Sequence, residues 1–146
     1  MKNTLFIILA IAILILIVIG GFWGLANYQK GVSISTDKRE YSSGDALTVT
    51  IKNKLDRRAC FSSCYPYYLE RETSQGNWES YKYQDCGSED LAENCIDPGQ
   101  TKTFEMALPE LEMKNHRLAI PLCLNCVPNQ EFKAENWFYS NKFVIK

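Results

Sequence analysis

Six cysteines carry the spacing in this chain that could do chemistry: Cys60, Cys64, Cys86, Cys95, Cys123 and Cys126. Cys60-x3-Cys64 and Cys123-x2-Cys126 are two pairs of ligand-like spacing, and two such pairs can close a tetrahedral zinc site. Cys123-Leu124-Asn125-Cys126 also has the spacing of a thiol–disulfide exchange motif. That chemistry wants its first cysteine at a helix N-terminus, where the thiol pKa falls, and here the cysteine closes a strand-like segment. A blue-copper centre needs two histidines beside a cysteine, and the chain has only His116. The remaining reading is structural. An even number of cysteines in an oxidising compartment reads as three disulfides, and six cysteines allow 15 pairings among which sequence does not choose.

The compartment therefore decides between these readings, and the start of the chain speaks to it. Leu5 to Ala26 is an apolar run of 22 residues with no charged side chain. About 20 such residues span the hydrocarbon core of a bilayer as a helix. Lys2 gives a short positive start, which favours the N-terminus inside. Phe22 and Trp23 close the run as interfacial anchors would. Gly24-Leu25-Ala26 is a small-x-small triplet of the kind signal peptidase cuts. Retained anchor and cleaved signal are both open, the first preferred. In either case the chain after it lies outside the cytoplasm. Residues 1–26 are thus expected to be a transmembrane anchor or signal peptide, 27–31 a short linker and 32–146 a folded domain.

Past Ala26 the chain holds all 17 acidic residues and every basic residue except Lys2, a net charge of −2. A nucleic-acid partner would show a basic face instead, and nothing polybasic beside the apolar run points to anionic lipid. The segments that follow alternate with period two between turn signals, the pattern of half-buried strands. Val32 and Ile34 open the series. Leu47, Val49 and Ile51 alternate with Thr48, Thr50 and Lys52. Tyr67 and Leu69 are followed by the turn Ser74 to Asn77, then Trp78 to Tyr83. After Asp97-Pro98-Gly99 come Phe104, Met106 and Leu108, then Leu118, Ile120 and Leu122, and finally Trp137, Tyr139, Phe143 and Ile145 on one parity. About seven short strands and no convincing helix predict an antiparallel β-sandwich. Pro121 is the misfit, since proline inside a central strand forfeits a ladder bond.

Several motifs come in a recognisable order. Tyr41-x-x-Gly44-Asp45 precedes Leu-Thr-Val-Thr-Ile-Lys-Asn (47–53). Tyr68-Leu69-Glu70 is followed by Trp78 after a Gly-Asn turn. Pro98-Gly99-Gln100-Thr101 stands before Phe104, Arg117-Leu118 follows, and Tyr139 to Ile145 closes the chain. Together they resemble bacterial extracytoplasmic immunoglobulin-like (fibronectin-III-like) single-domain proteins. The resemblance covers 32–146 and implies an immunoglobulin-like sandwich that serves as a binding or structural module. Many of those domains carry a tyrosine before the Arg-Leu pair, where this chain has His116.

If the strands follow an A, B, C, C′, E, F, G order, the cysteine loops after B, C′ and F fall at one end of the sandwich. Strand A starts at that end too, so the cysteine end is expected nearer the membrane than Lys146. His116, on an inward parity, reads as a structural histidine, with no second histidine or nucleophile motif to partner it. Asp85, Glu89, Asp90 and Glu93 lack the spacing of a calcium loop. Tyr65, Tyr67, Tyr68, Trp78, Tyr81 and Tyr83 are dense on one hairpin and occupy both parities, so some should be exposed as a face for a protein or glycan partner. The function expected is a membrane-anchored, extracytoplasmic, non-catalytic binding module at the cell envelope. It needs no cofactor and no nucleic acid, and its six cysteines are cross-linked. The alternative is an envelope zinc or thiol-redox protein using Cys60, Cys64, Cys123 and Cys126.

Overall fold

The computed structural model describes residues 31–82 and 85–146. The apolar run 5–26 and Tyr83 lie outside the described residues. Among the described residues no helix is long and apolar enough to cross a membrane. Gly31–Lys146 forms a unit with its own core.

Among the described residues the fold is all-β, with eleven strands in two sheets. The strands are β1 (Val32–Thr36), β2 (Glu40–Tyr41), β3 (Ala46–Asn53), β4 (Ala59–Ser62), β5 (Tyr68–Glu72), β6 (Trp78–Ser80), β7 (Ala92–Ile96), β8 (Thr101–Ala107), β9 (Asn115–Leu124), β10 (Asn136–Tyr139) and β11 (Phe143–Ile145). The smaller sheet runs β1-β3-β8, all antiparallel. The larger is built around β9. On one edge β9 pairs with β11 and β10, and on the other with β5 and then β4. β6 extends β5, β7 extends β4, and β2 joins β11 in parallel.

The alternation in β3 works as the sequence predicts: Leu47, Val49 and Ile51 are buried and Lys52 is exposed. They meet Leu118, Ile120 and Leu122 of β9, with Phe143 and Ile145 of β11. Each fully buried aliphatic or aromatic side chain contributes roughly 1.5–3 kcal/mol. Phe61 of the larger sheet and Phe104 of the smaller pack edge to face at 5.7 Å. Glycine adopts left-handed backbone without steric cost, and it does so at the turns before β3 (Gly44, φ +82°), between β5 and β6 (Gly76, φ +78°) and before β8 (Gly99, φ +76°).

Eleven strands replace the seven expected, for identifiable reasons. β4 reads Ala-Cys-Phe-Ser with all four residues buried, so it shows no alternation. β7 is Ala-Glu-Asn-Cys-Ile, polar in the middle, and forms by pairing with β4. The last strand is broken in two. Ser140 Oγ accepts the Leu118 N–H (2.9 Å), and Asn141 bonds both the Thr36 backbone N–H and the Thr36 hydroxyl. The bend between shifts the phase. Phe143 and Ile145 are buried, whereas Trp137 is exposed and Tyr139 half-buried, so these four residues do not share one face.

Pro121 turns out to be well placed. The Leu118 and Leu122 carbonyls accept from Ser140 N and Glu135 N. Even-numbered backbone groups of β9 therefore face β10, and odd-numbered ones face β4 and β5. Pro121 falls between the rung shared with β4 (Cys60↔Cys123) and the rung shared with β5 (Tyr68↔Ala119). The missing N–H points at the gap where the partner chain loops away, so the strand continues unbroken.

Candidate binding surface and cystine cluster

All six cysteines are paired: Cys60–Cys95, Cys64–Cys86 and Cys123–Cys126. Cys60 and Cys123 stand opposite each other in register between β4 and β9. Cys60 Sγ lies 3.6 Å from the Cys126 carbonyl. Two disulfides thus sit side by side where β9 ends. Cys60 and Cys123 are strand residues, not loop residues as the sequence suggested. Cys64–Cys86 is not at that end. It ties the excursion between β4 and β5, alongside the middle of β9. Among the described residues no group of three or more His, Cys, Asp or Glu is placed to hold a metal ion. Cys60, Cys64, Cys123 and Cys126 belong to three different disulfides and offer no thiolate in this state.

The ends of the sandwich are fixed by the register. Val32 pairs with Asn53. The buried Asn53 amide donates to the Ile96 and Arg57 carbonyls at 2.9 and 2.8 Å, and its oxygen accepts from Leu55 N. Val32 therefore stands at the Cys60 end. Lys146, bonded to the Tyr41 carbonyl, stands at the other, beside the start of β9. The ten residues of β9 separate the two ends by about 30 Å.

The six aromatics singled out in the sequence divide. Tyr67 and Tyr81 pack against the core. Tyr65, Tyr68 and Trp78 belong to the outer face of the larger sheet, and Tyr83 lies outside the described residues. Sequence reasoning missed three further members of that face: Trp137, Tyr139 and Arg117. The register assembles them. Tyr68, Ala119 and Tyr139 form one rung, with Ala119 a small floor between two rings. Trp137 pairs with Pro121 on the next rung. Glu70 pairs with Arg117 on the rung before.

The face has two halves. In one, the Arg117 guanidinium lies between Trp78 (4.2 Å) and Tyr139 (4.0 Å) and forms an ion pair with Glu70 at 2.7 Å. Lys142 stands over the same Trp78 ring and pairs with Glu72. Those partners, Lys142 first and then Asn115, hold the Glu72 carboxyl below its ordinary range. In the other half, Tyr65 stacks on Tyr68 at 5.9 Å, and Tyr68 tilts against Trp137 at 5.3 Å. Trp137 is 47% exposed, unusual for so large an apolar ring. Ser62, Asp90 and Phe132 complete a cleft of about 240 Å³ with these three rings. Burial, then the neighbouring Tyr65 and Asp90, raise the Tyr68 phenol above its ordinary value.

The cleft is held from behind. Ser62 Oγ donates to Asp90 Oδ1 at 2.6 Å and accepts from Tyr65 N at 2.6 Å. Tyr65 Oη accepts the N–H of Cys86 at 2.7 Å, so the Cys64–Cys86 bridge buttresses that ring. Phe132 N donates to the Asp90 carbonyl at 2.8 Å.

His116 lies elsewhere, fully buried beneath the opposite side of the sheet. Nδ1 faces the Lys114 carbonyl at 2.9 Å, an acceptor only, so it carries the proton, and Nε2 accepts from Tyr81 Oη at 3.0 Å. Burial lowers its pKa, against the opposing Lys114 hydrogen bond. It is a satisfied structural group, as its inward parity suggested.

No family model and no curated protein matches the chain. Among solved structures it is similar to a Pseudomonas fluorescens alkylpurine DNA glycosylase, AlkC, bound to DNA containing an abasic site analog (TM-score 0.35, 11% identity, 80% of this chain and 30% of that one). It is similar also to Spo0M, a sporulation control protein from Bacillus subtilis (TM-score 0.39, 14% identity, 79% of this chain and 48% of that one). The chain spans less than half the length of either. Likeness at this level carries no argument about activity.

Proposed function

We propose that this protein is a non-catalytic binding module with an immunoglobulin-like sandwich, held outside the cytoplasm by its N-terminal apolar run. Its outer aromatic face engages a protein or glycan of the cell envelope. The strand order supports the fold assignment. β1-β3-β8 corresponds to an A-B-E sheet, and β2 with β11/β10, β9, β4/β5 and β6 corresponds to A′-G-F-C-C′. Three disulfides favour an oxidising compartment. The observation that carries the binding reading is the exposed Trp137 against Tyr68 and Tyr65, around a cleft braced by a disulfide. Rigid aromatic rings give large contact area at small entropic cost.

The experiment is binding of the full chain, in uncharged detergent, to isolated envelope polymers and membrane proteins of the source cell. It is compared with a Tyr68→Ala/Trp137→Ala variant of unchanged circular dichroism. A loss of about tenfold or more in the variant is expected, since such rings dominate interface energetics. Equal binding by both proteins would overturn the reading.

A further inference from the structure

We propose that the cleft between Tyr65, Tyr68, Phe132 and Trp137 is a binding site for a quaternary ammonium head group of the choline type. This inference rests on the reading of the outer face as a binding surface and names the chemistry of its ligand.

The lining selects charge. Aromatic faces present negative potential and attract weakly hydrated cations, for which cages of such rings serve as receptors. Asp90 adds a full negative charge at the edge of the cleft, and among the described lining residues there is no lysine or arginine. A sugar would stack on the same rings and could meet the Tyr65 and Tyr68 phenols and the Trp137 indole N–H, but it brings no positive charge to Asp90, whose Oδ1 already accepts from Ser62 Oγ and Cys64 N. A nucleotide would bring phosphate against Asp90. A trimethylammonium group draws its attraction from aromatic rings and a negative charge, and the lining holds both: Tyr65, Tyr68, Phe132 and Trp137 with Asp90.

The same face already holds a cation of its own. On the rung one step along β9, the Arg117 guanidinium is sandwiched between Trp78 and Tyr139. Ala119 and Pro121 keep the floor low between the rings on either side. Size agrees too. About 240 Å³ is below the roughly 300–1,000 Å³ typical of sites for drug-sized ligands, and suits a head group of few heavy atoms. The walls are preset by the Ser62–Asp90–Tyr65 hydrogen bonds and by the Cys86 N–H on Tyr65 Oη.

The test uses the full chain in an uncharged polyoxyethylene detergent. Choline chloride is titrated while the indole N–H resonance of Trp137 is followed. Sodium chloride, glucose and 3,3-dimethylbutan-1-ol, the neutral isostere of choline, are run in parallel. Choline should shift the resonance saturably in the millimolar range, with the isostere at least about tenfold weaker, because only the cation gains from the rings and the carboxylate. Asp90→Asn should weaken choline without changing the isostere. Since Asp90 also braces Ser62, Phe132→Leu provides a second variant with the same expectation. Equal shifts by choline and its isostere, or saturation by glucose alone, would overturn the proposal. The wider reading fails separately. If choline is silent while Trp137→Ala still abolishes envelope binding, only the ligand class is wrong. If envelope binding survives that substitution, the binding face itself is wrong.

Discussion

Cys60 and Cys123 face each other across neighbouring strands, yet each is bonded elsewhere, Cys60 to Cys95 and Cys123 to Cys126. The two bridges close loops of very different size. The first spans 35 residues and the second only 3. In the chain-entropy picture the first stabilises by about 4 kcal/mol and the second by about 1.5 kcal/mol. Urea unfolding of Cys60→Ser/Cys95→Ser should therefore show more than twice the loss seen for Cys123→Ser/Cys126→Ser. Alkylation under denaturing, non-reducing conditions should modify no cysteine in the parent protein.

His116 should make stability depend on pH. Its buried ring is held neutral between the Lys114 carbonyl and the Tyr81 hydroxyl, and burial keeps its folded pKa below the ordinary 6.5. Below pH 6.5 the unfolded chain binds a proton that the folded chain refuses, so stability rises with pH there. The contribution is complete above about pH 6.5 and is lost as pH falls toward the folded pKa. Urea midpoints measured from pH 7.5 down to 5 should fall for the parent and stay flatter, by this component, for His116→Gln.

Tyr41 and Asp37 form a second linked pair. The buried Tyr41 ring donates its hydroxyl to Asp37 Oδ1 at 2.7 Å and accepts the Lys38 N–H at 3.0 Å. That bond holds the Asp37 carboxyl below its ordinary 3.8, while burial, reinforced by the Asp37 carboxylate, raises the Tyr41 phenol. Tyr41→Phe should cost about 1–2 kcal/mol. In the same variant, carbonyl-detected NMR should show the Asp37 titration moving back up. No such movement would mean that the hydroxyl is not what holds it.

Asn53 ties the turn that follows β3 to the end of β7 through one side chain. Its buried amide satisfies the Ile96 carbonyl away from water, and the Arg57 carbonyl and Leu55 N–H nearer the surface. Asn53→Ala removes all three bonds, and the Ile96 carbonyl loses its partner in a buried place, at a cost of about 1–3 kcal/mol. A loss in that range in the urea midpoint analysis is expected, with Asn53→Asp only partly restoring it because a carboxylate cannot donate.

Some of the fold is legible in the sequence, and the physical reason is local. Leu47, Val49 and Ile51 announce a half-buried strand because one face of β3 meets core and the other water. Phe104 and Met106 do the same for β8, and His116 could be placed inward by parity alone. β4 could not be seen, since Ala59 and Phe61 are buried in the core while Cys60 is covered by its disulfide and Ser62 by Asp90, so neither parity meets water. The phase change between Tyr139 and Phe143 depends on Ser140 and Asn141 finding partners at Leu118 and Thr36, far away in sequence. The candidate site suffered most from this. Tyr65, Tyr68 and Trp78 stood out as an aromatic cluster. Trp137, Phe132 and Asp90 join them only through long-range pairing. The one local signal was the aromatic run Trp137-Phe138-Tyr139, whose alternation sets Trp137 and Tyr139 on the face opposite the buried Phe138.

The pairing of Cys64 with Cys86 lies wholly inside the span closed by Cys60 and Cys95. The β5–β6 hairpin, Tyr68 to Ser80, is therefore encircled by two nested covalent rings. A protease that cuts at the exposed turn Ser74 to Asn77 would open the backbone without releasing a fragment. The nicked protein would migrate as one chain until a reductant is added. In an environment rich in proteases, the aromatic face would stay in one piece after such a cut.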